Sequence, residues 1–182
     1  MKENIKPANG RLGVLIVGVG GAVSTTMITG TLATRKGLAK PIGSITQMAT
    51  IRMQNNDEKL IKDVVPLADL NDIIFGGWDI FPDNAYEAAK YAEVLKEKDL
   101  DGVKDELAAI KPMPAAFDHN WAKRLNGTHI KKVTSRWDMV EQLRKDIRDF
   151  KAANHCDRIA VLWAASTEIY RNTSHLPHWK RR

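Results

Sequence analysis

The strongest constraint on what this chain can fold into is the apolar run Leu12–Val17 (LGVLIV), which feeds directly into the glycine cluster Gly18-Val19-Gly20-Gly21. A short apolar run bounded by glycine reads as a strand covered on both faces, as in a parallel sheet. From Ala22 to Arg35 small and apolar residues recur (AVSTTMITGTLATR), with Ser24, Thr25 and Thr26 suited to cap or line a helix start. Strand, tight turn and helix therefore follow one another. Such an order makes an anion site, because glycines let backbone amides approach a phosphate and the first N–H groups of the helix carry partial positive charge.

Gly18 and Gly20 supply the first two glycines of the dinucleotide fingerprint G-x-G-x-x-G, but Val23 stands where the third belongs. A glycine turn of this kind also serves purely structural turns. The fingerprint further asks for an acid about 20 residues beyond the glycines to hold the ribose, and no acid occurs between Gly18 and Asp57. Either this is not a dinucleotide site or the ribose ligand comes from another strand end. Asp79, just past Gly76-Gly77, is the substitute the sequence offers, although on spacing alone it reads first as a turn or capping carboxylate.

Further along, Ser44–Ile51 is expected as a second strand and residues 57–64 as a short helical piece. Ile73–Phe75 forms a strand that ends in Gly76-Gly77-Trp78-Asp79-Ile80, and Pro82 and Asp83 open a helix to about Lys98. Residues 101–110 form one more helix, closed by Pro112 and Pro114. Ser135 caps a long amphipathic helix to about Asn154, with Trp137, Val140, Leu143, Ile147 and Phe150 as one buried stripe. Arg158–Trp163 is a last buried strand leading to Ala164-Ala165-Ser166-Thr167-Glu168. Alternating strands and helices imply an α/β domain, Rossmann-like, with a mainly parallel sheet flanked by helices. Its strand ends would bring residues 18–24, 76–80 and 164–168 to one crevice.

At 182 residues and 43% hydrophobic, the chain suits one domain, residues 1–170, followed by a basic tail, 171–182. Arg171, Lys180, Arg181 and Arg182 carry four of the net +6 charges, leaving +2 for residues 1–170, too near balance for a nucleic-acid face. Cys156 stands alone, so a reducing cytoplasm fits and a quiet structural thiol is expected. The run from Leu12 to Val19 is far shorter than the roughly 20 residues that span a bilayer, so neither anchor nor signal peptide is expected. His119, His129 and His155 are scattered and Pro177 separates His175 from His178, so no metal site is expected. Trp137 and Trp163 are assigned to the core, and Trp78 is the one tryptophan expected near a ligand.

The motifs GVGGAVSTT (18–26), GSITQMAT (43–50), GGWDI (76–80), KPMP (111–114), RKDIRDFKAAN (144–154) and VLWAASTEIY (161–170), taken in order, resemble the N-terminal half of inositol-3-phosphate synthases, with the GGAV turn similar to the bacterial type. The resemblance implies an NAD-dependent isomerase of inositol and phospholipid biosynthesis that converts glucose 6-phosphate to inositol 3-phosphate. In that reaction NAD oxidises the sugar at C5, enolisation allows ring closure, and the NADH formed reduces the ketone. It further implies that Gly18, Gly20, Gly21, Ala22 and Val23 cradle the pyrophosphate, and that Asp79 takes the adenosine ribose with Ile80 alongside. Ala115 and Ala116 would lie near the adenine, where the family has a Ser-Ile-like pair. Arg124 would lie near the cofactor, and Ala164, Ala165, Ser166 and Thr167 beside the nicotinamide.

After Tyr170 the sequence turns to RNTSHLPHWKRR, where the family continues into a domain that binds the sugar phosphate and oligomerises. This departure looks like a frameshift, truncation or assembly scar. The family's catalytic lysines have no counterpart here, so no catalytic residue is assigned and the isolated chain is expected to be inactive, with glucose 6-phosphate a partner only of the full-length enzyme. Two alternatives stay open. One is an NAD(P)-dependent oxidoreductase domain, in which Arg35, Lys36 and Arg52 would serve a 2′-phosphate. The other is a non-catalytic nucleotide-binding remnant with an apolar sheet edge.

Overall fold

The computed structural model describes residues 9–54, 56–120 and 125–165. In chain order its elements are β1 (Leu12–Val17), α1 (Ala22–Arg35), α2 (Ile45–Met48), β2 (Thr50–Arg52), β3 (Glu58–Leu60), α3 (Ile61–Val64), a 3-10 turn (Leu70–Asp72), β4 (Ile73–Asp79), α4 (Ala85–Ala92), α5 (Glu97–Asp101), α6 (Lys104–Ala109), β5 (Met113–Pro114), α7 (Arg136–Ala153) and β6 (Arg158–Trp163). β5, β4, β1 and β6 form one sheet in that order, and every pairing in it is parallel. β1 is thus central, with β4 on one side and β6 on the other.

The alternation of a strand sorts the β1 side chains between two cores. Val14 and Ile16 pack with Ile28 and Leu32 of α1, Ala85, Tyr86 and Ala89 of α4, and Leu100, Val103 and Leu107. On the other face Leu15, Trp78 and Ala115 meet Leu143, Ile147 and Phe150 of α7. Helices therefore cover both faces of the sheet, as the sequence implied.

Several expectations need correction. Ser44–Ile51 is not a strand of the main sheet: Ile45–Met48 is a helical turn, and Thr50–Arg52 pairs antiparallel with Glu58–Leu60 in a separate ribbon. Gly76 and Gly77 do not end β4 but lie inside it. A Cβ at Gly76 would strike the ring of Phe150, and one at Gly77 would land on the backbone of Ile16, so both glycines permit close packing within a continuing strand. The helix expected from Pro82 to Lys98 is two helices, α4 and α5, separated at Glu93 in the left-handed region (φ 53°). Asn84 caps α4, accepting from the N–H groups of Tyr86 and Glu87, both at 3.0 Å. The break lets Leu100 turn in beside Val103 and Leu107, all three of them buried.

α7 begins at its expected cap, where the Ser135 hydroxyl accepts from the Asp138 N–H (3.0 Å). Its stripe is buried only in part: Leu143, Ile147 and Phe150 pack on the sheet, whereas Trp137 (68%) and Val140 (43%) are exposed. Among the described residues β6 likewise lies at the edge of the sheet, and its Val161, Leu162 and Trp163 are exposed, where a buried strand was expected. No helix among the described residues is long and apolar enough to cross a membrane.

Candidate functional site

From β1 the chain first builds α1, the ribbon, β4 and β5 on one side of the sheet, and only then returns through α7 to β6 on the other. The strand order therefore reverses about β1, and the carboxyl ends of β1 and β6 flank a topological switch point, the place where open α/β sheets bind ligands. The glycine turn sits there. Gly18 has φ 84°, a conformation that suits glycine, and a Cβ on it would lie 3.0 Å from Cα of Ala165. The Ala164 N–H donates to the Val17 carbonyl at 3.0 Å, drawing the end of β6 over the turn.

Backbone groups shape the turn from the β4 side. The Trp78 carbonyl accepts from Gly18 N–H (2.8 Å) and Val19 N–H (3.2 Å), and Gly21 N–H donates to the Gly18 carbonyl (3.1 Å). Ser24 and Thr25 are buried, and the Ser24 hydroxyl donates back to the Gly18 carbonyl at 2.7 Å. Of the two roles expected of these hydroxyls, they line the start of the helix and do not cap it: Gly21 is the cap, with no side-chain bond and no acid in the first turn. The N–H groups at the start of α1, Ala22 and Val23, are among those a helix leaves without intrahelical partners. Val23 is 72% exposed, so its side chain has room where the fingerprint has its third glycine, while Ser24 beside it turns inward onto the Gly18 carbonyl.

Asp79 ends β4, the strand beside β1. Its Oδ2 accepts from Gly20 N–H at 2.9 Å and its Oδ1 from Phe81 N–H at 3.2 Å, so the carboxylate stands against the glycine turn. A carboxylate offers about four acceptor positions, and two hydrogen bonds leave capacity for further donors. A carboxylate therefore stands beside the glycine turn in space, although no acid follows it closely in sequence. In an ordinary fingerprint the strand that follows the first helix lies next to β1; here the ribbon and its short helices are interposed in sequence, and β4 takes that position in the sheet.

Ile80 and Ala115 follow the ends of β4 and β5. The Ile80 carbonyl accepts from His129 N–H (2.9 Å), while Ala115 N–H donates to His129 and its carbonyl accepts from Lys131 N–H (3.0 and 2.9 Å). Ala115 is buried in the α7 core and Ala116 is half-buried beside it. Gly18, Gly20, Gly21, Ala22, Val23, Asp79, Ile80, Ala115, Ala116, Ala164 and Ala165 thus all lie at the carboxyl ends of neighbouring parallel strands. Arg124, Ser166 and Thr167 lie outside the described residues.

Trp78 faces away from this crevice. It is 3% exposed, in the core beneath α7, as alternation next to Asp79 requires. The sequence reading missed its carbonyl as the anchor of the turn, and missed Ser24 as the lock; the position of Ser24 three residues past the glycine pair was the available signal. A cavity of about 340 Å³ opens elsewhere, bounded by Ile74, Gly77, Ile110, Lys111, Phe150 and Asn154; none of the site residues lines it. Cys156 is buried, and burial pushes its thiol up, in keeping with an unreactive side chain. Among the described residues no group of three or more His, Cys, Asp or Glu gathers to hold a metal.

The family model for the NAD-binding region of myo-inositol-1-phosphate synthase matches residues 12–179. Inositol-3-phosphate synthase 1 of Bacteroides thetaiotaomicron is 85% identical over 170 residues, which are 93% of this chain and 40% of that protein. Inositol-3-phosphate synthase 1 of Oryza sativa subsp. japonica is 35% identical over 178 residues, covering 89% of this chain and 35% of the relative. The crystal structure of inositol-3-phosphate synthase from Caenorhabditis elegans superposes with a TM-score of 0.76 at 28% identity, over 92% of this chain and 37% of that one. The chain therefore spans well under half the length of the relatives it matches. It belongs to the myo-inositol-1-phosphate synthase family, an isomerase family whose N-terminal NAD-binding region it represents.

Proposed function

We propose that residues 18–23 receive the NAD pyrophosphate, that Asp79 holds the adenosine ribose beside Ile80, Ala115 and Ala116, and that Ala164 and Ala165 border the nicotinamide. The observation that carries this reading is the Asp79 carboxylate standing 2.9 Å from the Gly20 amide, 59 residues away in sequence. One acid beside one phosphate-binding turn matches the spacing of a ribose and its pyrophosphate in a nucleotide. Bound there, NAD would supply a reversible hydride transfer; the protein's part is to hold the dinucleotide and shield it.

As part of the whole enzyme, the chain would serve conversion of glucose 6-phosphate to inositol 3-phosphate, in the cytoplasm, for inositol and phospholipid synthesis, within a homo-oligomer. Asp79 is the only titratable residue in 18–23, 79–80 and 164–165, so the acid–base steps on the sugar belong to groups outside these strand ends. The oxidoreductase alternative loses support from its cations. Arg35 is bound to the carbonyls of Leu70 (2.6 Å) and Ile73 (2.5 Å), Lys36 to Glu106 and to the Gly102 carbonyl, and Arg52 to Glu58 (3.7 Å).

Titration of the chain with NAD and NADP by calorimetry tests the assignment. NAD is expected to bind at least about tenfold tighter, because a carboxylate repels the 2′-phosphate, and Asp79→Asn to weaken NAD by roughly tenfold. Equal binding of the two cofactors, or an unchanged NAD affinity in Asp79→Asn, contradicts it.

A further inference from the structure

Asp146 lies on α7, on the face of the sheet opposite α1, yet it is joined to the crevice by two short links. Its Oδ2 accepts from the Trp78 indole Nε1–H at 2.7 Å and pairs with the Lys131 ammonium at 2.6 Å. The Lys131 side chain is only 6% exposed and that of Asp146 19%. A buried ion pair is poor value as a source of stability, since desolvation offsets most of its attraction. It does hold its members in one geometry.

Those members are the residues on which the crevice is built. Trp78 is the residue whose carbonyl accepts from Gly18 and Val19, and its successor in the chain is Asp79. Lys131 donates its own N–H to Ala115. We infer that Asp146 is a positioning residue for the nucleotide: by holding the Trp78 indole it sets the end of β4, and so aims the Asp79 carboxylate at Gly20, while through Lys131 it ties down the segment beyond β5. This inference rests on the nucleotide reading of the crevice, and it acts on the ribose half of the ligand.

Two neutral double variants isolate the link to Trp78. Lys131→Met with Asp146→Asn keeps an oxygen that accepts from the indole; Lys131→Met with Asp146→Leu removes it, and neither leaves a buried unpaired charge. The readout is the preference of the full chain for AMP over 2′,3′-dideoxy-AMP, which lacks the hydroxyls that Asp79 would hold. Wild type and the Asn pair are expected to prefer AMP by roughly tenfold, and the Leu pair to bind both within about twofold. A merely structural role would weaken both nucleotides alike and leave the ratio standing.

A preserved ratio in the Leu pair overturns the inference, and so does an equal loss in both pairs. Should the Leu pair fail to fold, Trp78→Phe carries the same test: the ratio is expected to collapse, and its survival overturns the inference. If wild type binds neither NAD nor AMP, the nucleotide reading itself fails. If Asp79→Asn abolishes the ratio while the Leu pair and Trp78→Phe keep it, only the role of Asp146 fails.

Discussion

β4 and β6 both lie parallel to β1 in a full six-residue register, yet one is locked in place along its length and the other is exposed over its second half. In β4, Gly76, Gly77 and Trp78 are buried and the side chains of Trp78 and Asp79 are both hydrogen-bonded. In β6, Val161, Leu162 and Trp163 are exposed by 51%, 42% and 73%. Backbone pairing alone does not bury a strand; side-chain complementarity on its faces does. The Asp79 side of the crevice is accordingly held by interlocking side chains, whereas the side toward Ala164 and Ala165 rests on backbone contacts such as Ala164 N–H to Val17.

The sharpest way to break this contrast is Gly77→Ala. The new Cβ would collide with the Ile16 backbone, which cannot rotate aside, so a loss of about 4 kcal/mol is expected by chemical denaturation. A near-neutral result would mean that β4 is as loosely held as β6. Next in size is Gly18→Val. A β-branched residue at φ 84° costs about 1–3 kcal/mol, and its side chain would press on Ala165; stability should drop by about 2 kcal/mol, and NAD binding should be lost in calorimetry.

On the other side of the comparison, Trp163→Ser should change stability by no more than about 0.5 kcal/mol. It should reduce self-association seen by light scattering, because an exposed apolar edge strand favours pairing between copies. A large destabilisation there would show that β6 is buried by something beyond the described residues.

The smallest effect concerns pH. A hydrogen bond from Lys36 holds the Glu106 carboxyl below its ordinary value of 4.5. A depressed acid adds stability that is complete above that ordinary value and fades as pH falls through the lower folded one. The Glu106 side chain is 37% exposed, so the screened contribution is about 0.3 kcal/mol. Glu106→Gln should remove a small part of the acid limb of stability below about pH 4.5 and leave neutral stability nearly unchanged, whereas equal slopes in both proteins would remove the pair from the account.

The expectations that held rest on neighbours in sequence. β1, the turn and α1 form as read because an apolar run, two glycines and small helical residues act within a few positions, and the Ser135 cap reaches only to Asp138. Two of the failures share a physical cause in what lies far off in sequence. Gly76 and Gly77 looked like a strand end because nothing local announces Phe150 and Ile16, the groups that require the absence of a Cβ. Trp137 and Trp163 looked like core because spacing gives a helix or strand a face without saying whether anything covers it.

By itself, then, the sequence determined the α/β alternation, the phosphate-type turn, the capped helix α7 and, through its motifs, the family. Only the tertiary structure decided that β4 rather than the Thr50–Arg52 segment lies beside β1, that Asp79 faces Gly20, and that Trp78 and Lys131 share Asp146. The physical reason is range. Caps, turns and periodicity are interactions between residues a few positions apart, whereas strand order and buried polar links join residues tens of positions apart, and they are settled only when both cores pack at once.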